Sequence, residues 1–189
     1  MSSGTVAVRY ARALLRYAEE QGCQDEVYVQ ILQLARRIVQ LPAIMDRISD
    51  PTLSFESKFR LLCITAESDD GTKACKALTD FLQLVLRSGR GNSIIFISSA
   101  YRDLYRKKNN VVPVEMTTAS PLDDKRRAEL KKLVGDIVKS ERVEWNESVD
   151  PRLLGGFVIQ VDDYRLDASV SRRLRVIEKE LIEKNSRII

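Results

Sequence analysis

The chain has 189 residues, 44% of them hydrophobic and 31% charged, which is enough apolar material to pack a core in one domain or two small ones and excludes a disordered tail. Its 31 basic and 27 acidic side chains are mixed along the sequence and leave a net charge of +4, too mild and too dispersed to point to nucleic acid. There is no histidine, which excludes Ser/His/Asp, Cys/His and HExxH chemistry.

In chain order, residues 5–21 put Ala7, Ala11, Leu14 and Ala18 on one helical face, and a second apolar line of Val6, Tyr10, Ala13 and Tyr17 runs beside it. The next helix carries Val27, Ile31, Leu34, Ile38 and Leu41 until Pro42 interrupts it. A short helix over 43–48, a break at Asp50 and Pro51, a helix near 54–65 and a break at 69–71 follow. Residues 72–88 form a wide helix, with Leu78, Leu82, Val85 and Leu86 on one side and Ala77, Phe81 and Leu84 turned further round. Gly89 closes it, and residues 92–108 give a last helix with Ile94, Ile97, Tyr101, Leu104 and Tyr105 inward. The pattern predicts an all-α bundle of five or six helices over residues 1–109.

Beyond Asn110 the period changes to that of a strand at Val112, Val114 and Met116, and a second domain, 110–189, begins. Ser120 as N-cap, Pro121 and Asp123 predict a helix to about residue 140 with Leu130, Leu133, Ile137 and Val138 inward. Strands are expected at Val143 to Val149 and Phe157 to Val161, with Asp162 and Asp163 turning the latter into a short partner at 164–166. A closing helix from Ser169 is expected to bury Val170, Leu174, Ile177 and Leu181. This order describes a small α+β domain. The whole net charge lies on the first domain, which has 16 basic and 12 acidic residues against 15 of each in the second.

Candidate chemistry is sparse. Gly89-Arg90-Gly91 begins a GxG but follows a helix and lacks the later glycine. The carboxylate pairs Asp69/Asp70, Asp123/Asp124 and Asp162/Asp163 fall at turns and helix starts, where solvated cap residues are the better reading than acid/base or metal sites. Cys23, Cys63 and Cys75 lack CxxC spacing and read as small apolar fillers on helices. Basic clusters at Lys125 to Arg127, Lys131/Lys132 and Arg172/Arg173 share their surroundings with acidic residues, and few aromatics stand among them. No apolar run is long enough for a membrane span, and the N-terminal arginines lie in an amphipathic helix, so a mature cytoplasmic chain is expected.

The surplus stripes on the first helix and on residues 72–88 suit a trough for a partner's amphipathic helix, but on pattern alone they fit better with two helices central in a bundle. Specific residues narrow the choice. Tyr10, Ala11, Arg12, Ala13 and Leu14, then Phe81, Leu82, Gly89 and Arg90, and above all Asp150, Leu153, Gly155, Gly156, Phe157, Val158, Ile159, Asp163, Leu166, Asp167, Ser169, Val170, Arg173 and Leu174 resemble the ATP synthase delta subunit and oligomycin-sensitivity-conferring protein family. The likeness spans nearly the whole chain, with Ala168 standing where the family often has glycine.

The resemblance implies a stator subunit, without cofactor or metal, that links the catalytic head to the peripheral stalk. It implies that the helical domain binds alpha-subunit N-termini, with Val6, Tyr10, Ala13, Tyr17, Ala77, Phe81 and Leu84 as trough residues. It also implies that the second domain holds the b subunits, and that the protein lies peripherally on the cytoplasmic face of the membrane without inserting. Within the family signature, Gly155 and Gly156 permit a tight turn, Asp167 and Ser169 cap the closing helix, and Leu174 follows on that helix. An adaptor or RNA-associated protein of the same architecture is the competing expectation.

Overall fold

A computed structural model describes residues 3–67, 71–138 and 142–186, and the chain separates into two units, Met1–Lys108 and Asn109–Ile189. In the first, α1 (Ser3–Glu20), α2 (Gln24–Gln40), α3 (Ala43–Ser49), α4 (Phe55–Ala66), α5 (Lys76–Arg87) and α6 (Ile94–Asn109) pack around the stripes expected of them. Ala7, Ala11, Leu14 and Ala18 meet Val27, Ile31, Leu34 and Ile38, together with Leu78, Leu82, Val85, Ile94, Ile97 and Tyr101, all buried. Leu41, expected to continue the α2 stripe, is exposed: it is the C-cap residue, and its extended backbone turns it off the helical face. Of the break expected at 69–71, Asp69 and Asp70 lie outside the described residues.

Two polar devices hold this unit in register. Ser54 caps α4 by accepting from the Ser57 backbone N–H, which satisfies one free donor of the first turn. Gln30, fully buried, accepts from the Cys75 N–H at 2.8 Å and donates to the Lys73 carbonyl at 3.1 Å, so one α2 side chain fixes the approach to α5. Gln30→Leu keeps the volume but leaves both backbone groups without this partner. We expect a loss of about 2 kcal/mol in chemical denaturation followed by circular dichroism. Stability equal to wild type would show that the two bonds carry nothing.

The second unit is a four-stranded sheet in the order β2-β1-β3-β4, from β1 (Val111–Thr118), β2 (Arg142–Val149), β3 (Phe157–Val161) and β4 (Tyr164–Asp167). β1 and β2 are parallel and joined through α7 (Asp124–Val138), while β3 is antiparallel to both β1 and β4. Val114, Met116 and Ile159 pack against Val134 of α7, with Leu130, Val138, Val143, Trp145 and Phe157 around them. The helix cap differs from expectation. Asp123, not Ser120, accepts from the Arg126 N–H at 2.7 Å, because α7 starts only at Asp124. Leu133, expected inward, is exposed, and the Ile137 side chain and residues 139–141, around the expected helix end, lie outside what is described.

The largest departure is α8 (Val170–Ser186). Val170, Leu174, Ile177 and Leu181, expected to be buried, are 39%, 51%, 52% and 58% exposed. The helix is tied to its unit at its first turn, where the Val170 N–H donates to the Gly155 carbonyl, and its apolar face extends away from the sheet core uncovered.

Candidate functional site

α1 and α5 run antiparallel, as two bonds between them show: Tyr10 donates to Ser88 at 3.3 Å and Tyr17 to Asp80 at 3.2 Å. The helical period that buries Ala7, Ala11, Leu14 and Ala18 turns Tyr10, Ala13 and Tyr17 to the flank facing α5, with small Ala13 exposed between two rings. Phe81 meets the Tyr10 ring edge-on at 6.3 Å between centroids. On α5, Leu84 is 55% exposed, the apolar residue of the trough that most clearly faces solvent. Val6 is half-buried. Ala77 and Phe81 differ from expectation in kind: both are core residues that lie under the trough and present almost no surface.

The polar ends of the trough escaped the apolar pattern. Gly89, with φ +67°, closes α5 in a Schellman turn in which the Arg90 N–H donates to the Val85 carbonyl. That turn lets the Arg90 guanidinium lie over the Tyr10 ring at 5.1 Å and donate to its hydroxyl at 2.5 Å. Ser88, then Arg90, hold the Tyr10 phenol below its usual range, while Asp80 pushes that of Tyr17 up. Asp80, Ser88 and Arg90 therefore set the spacing of α1 and α5. Of the three, only Arg90 had any signal in sequence, as part of the family resemblance.

In the second unit the double glycine seats α8. Gly156 has φ +75°, and a Cβ there would stand 2.3 Å from the Ala168 carbonyl oxygen. Asp167 accepts from the Ser169 N–H at 3.1 Å and its hydroxyl at 2.6 Å, and Ser169 in turn accepts from the Arg172 N–H at 3.2 Å. The signature residues are thus brought together as one turn and cap, while Leu174 stands clear of them on the exposed α8 face. Beside α7 and β4, Leu133, Tyr164, Leu166 and Phe157 line an open apolar hollow of about 430 Å³.

Two carboxylates of this unit are held below their usual range, Glu147 by hydrogen bonds from Lys131 and Arg127, and Asp167 by its bonds from Ser169. Their contribution to stability is complete above the unfolded values of 4.5 and 3.8 and is lost as pH falls through the lower folded ones. Trp145, the single tryptophan, lies beneath Lys131 and reports on this unit. Its fluorescence should show acid unfolding beginning below about pH 4.5, with a shallower pH dependence in Glu147→Gln. An unchanged profile would remove Glu147 from the account.

The remaining candidates offer no chemistry. Asp123 caps α7, Asp124 pairs with Arg127, and Asp162 and Asp163 turn the β3–β4 hairpin in the open; Asp69 and Asp70 lie outside the described residues. Among the described residues no cluster of three metal-ligating side chains occurs, and no helix is long and apolar enough to cross a membrane.

Comparison with known proteins follows the same lines. The family described as ATP synthase delta (OSCP) subunit matches residues 6–181. The ATP synthase subunit delta of Bacteroides fragilis is 34% identical over 189 residues, covering 100% of both chains, and that of Phocaeicola vulgatus is 35% identical with the same coverage. A chain of the Toxoplasma gondii mitochondrial ATP synthase hexamer has the same fold at a TM-score of 0.65, with 16% identity, covering 93% of this chain and 97% of that one.

Proposed function

The chain belongs to the ATP synthase delta (OSCP) subunit family, whose members are non-catalytic subunits of ATP synthase, and from that premise we propose that it is a stator link binding one partner through each of its two units. The observation that carries this reading is a pair of apolar surfaces with no cover from their own unit: the α1/α5 trough and the face of α8.

On this reading the helical unit takes alpha-subunit N-termini of the catalytic head. One of them lies as an amphipathic helix along Val6, Tyr10, Ala13, Tyr17 and Leu84, over a floor of Ala77 and Phe81. The second unit takes the b subunits of the peripheral stalk, whose helices cover Leu174, Ile177 and Leu181 and remove that apolar surface from water. The protein then sits peripherally on the cytoplasmic side of the membrane and inserts nothing. Its work is mechanical: rotation of the central shaft drags on the head, and a connection tight at both ends resists that torque so that proton flow stays coupled to ATP synthesis.

The test is capture by purified catalytic head and by soluble b-subunit stalk, using the intact chain and a Leu174→Arg/Ile177→Arg variant. Both substitutions fall on exposed positions, so the fold is retained. The variant should lose stalk binding by about 100-fold, the cost of two interface anchors, and keep head binding. Unchanged stalk binding would remove α8 from that interface.

A further inference from the structure

We propose that the exposed face of α8 docks a second copy of this chain: two α8 helices pair antiparallel and cover each other's apolar stripe. Val170, Leu174, Ile177 and Leu181 stand at steps of four, three and four, the spacing that keeps one seam turned to a partner helix along its length. Leu174, Ile177 and Leu181 are each more than half exposed, and none belongs to the core of its own unit.

The charges beside the stripe choose the occupant. Arg173 and Glu180, each one position before a seam leucine, lie on the same flank of the helix, and both are exposed. Arg173 has Ser169, Val170, Val176 and Ile177 one turn away on either side, so its own helix offers it no carboxylate. When two helices run antiparallel with Leu174 opposite Ile177 of the second copy, Val170 meets Leu181 and Arg173 comes beside Glu180. The two-fold axis makes each of these contacts occur twice, so the flank is complementary to itself.

A parallel pair is disfavoured on two grounds. It sets Arg172, Arg173 and Arg175 of both copies side by side and aligns the two helix dipoles. It also crowds two sheet units at one end, because each α8 is tied to its unit at its first turn by the Val170 N–H to Gly155 carbonyl bond. The antiparallel pair places those units at opposite ends. With 17 residues the seam is about 25 Å long, so the dimer is weak, half-formed at about 10 to 100 μM. The same residues serve the stalk proposed above, so the dimer is the form of the chain outside the complex, and a stalk helix displaces the second copy. Self-association is read on the protein alone, so its failure leaves the stalk reading untouched.

The experiment is sedimentation equilibrium of the full-length protein at low ionic strength, from about 5 to 500 μM. The 21.5 kDa chain should give way to a species of twice that mass as concentration rises. Arg173→Glu and Glu180→Arg should each weaken association by about 10-fold or more, because each sets like charges against one another on the flank. Both positions are exposed, so circular dichroism should show both variants folded. Mixed in equal amounts, the two variants should recover wild-type association, since every flank contact between them again joins opposite charges. Leu84→Arg, on the helical unit, should associate as wild type does. A single 21.5 kDa species throughout, Glu180→Arg associating as wild type, no recovery in the mixture, or loss of the dimer in Leu84→Arg would each overturn the proposal.

Discussion

Gly156→Ala should destabilise the second unit by about 3 kcal/mol or more, enough to leave much of it unfolded at room temperature. Two costs add. Alanine at φ +75° sits in the left-handed region, and its Cβ would lie 2.3 Å from the Ala168 carbonyl oxygen, with the Ser169 Cα also close. Those are backbone atoms of the segment that caps α8, so they cannot move without breaking the Ala168 N–H to Phe157 carbonyl bond or the Asp167–Ser169 cap. Gly155→Ala is the internal comparison: its Cβ meets only the end of the Val170 side chain, at 2.9 Å, and φ there is ordinary, so a much smaller loss is expected. Urea unfolding followed by Trp145 fluorescence reads this unit alone. Equal midpoints for the two variants would refute the account of the turn.

Leu84→Arg should weaken binding of an alpha-subunit N-terminal helix by about 30- to 100-fold while leaving the fold intact. Leu84 is more than half exposed, so the substitution costs the free protein little, whereas in the complex it sets a charge where an apolar side chain has to be buried. Phe81→Ala would not be a fair test, since Phe81 is a core residue against the Tyr10 ring and its removal opens a cavity. Calorimetric titration of the intact protein with the peptide gives the affinity, and circular dichroism checks the fold. Wild-type affinity in a folded Leu84→Arg protein would move the partner helix to another face.

Much of the architecture was legible in the sequence because it depends on local rules. A stripe of Ala7, Ala11, Leu14 and Ala18 has one buried face whatever surrounds it, and the change of period after Asn110 marks a strand wherever that strand pairs. Gly156, Asp167 and Ser169 could be read as a turn and a cap since each acts through backbone groups a few residues away in chain or strand. Membership of the family was legible for the same reason: its most specific residues are those of that turn.

Other features needed the tertiary structure, because periodicity tells which face of a helix is apolar and not whether the same chain covers it. Ala77 and Leu84 carry the same signal in sequence, yet one is core and the other faces solvent, and the α8 stripe that promised a buried helix is left open. Contacts between residues distant in the chain, such as Arg90 on Tyr10 and Tyr17 on Asp80, follow from helix packing alone. The sequence by itself determined the order of the elements, the Asp167–Ser169 cap and the family. Only the packing decided which apolar faces remain uncovered, because burial depends on what else the chain brings alongside.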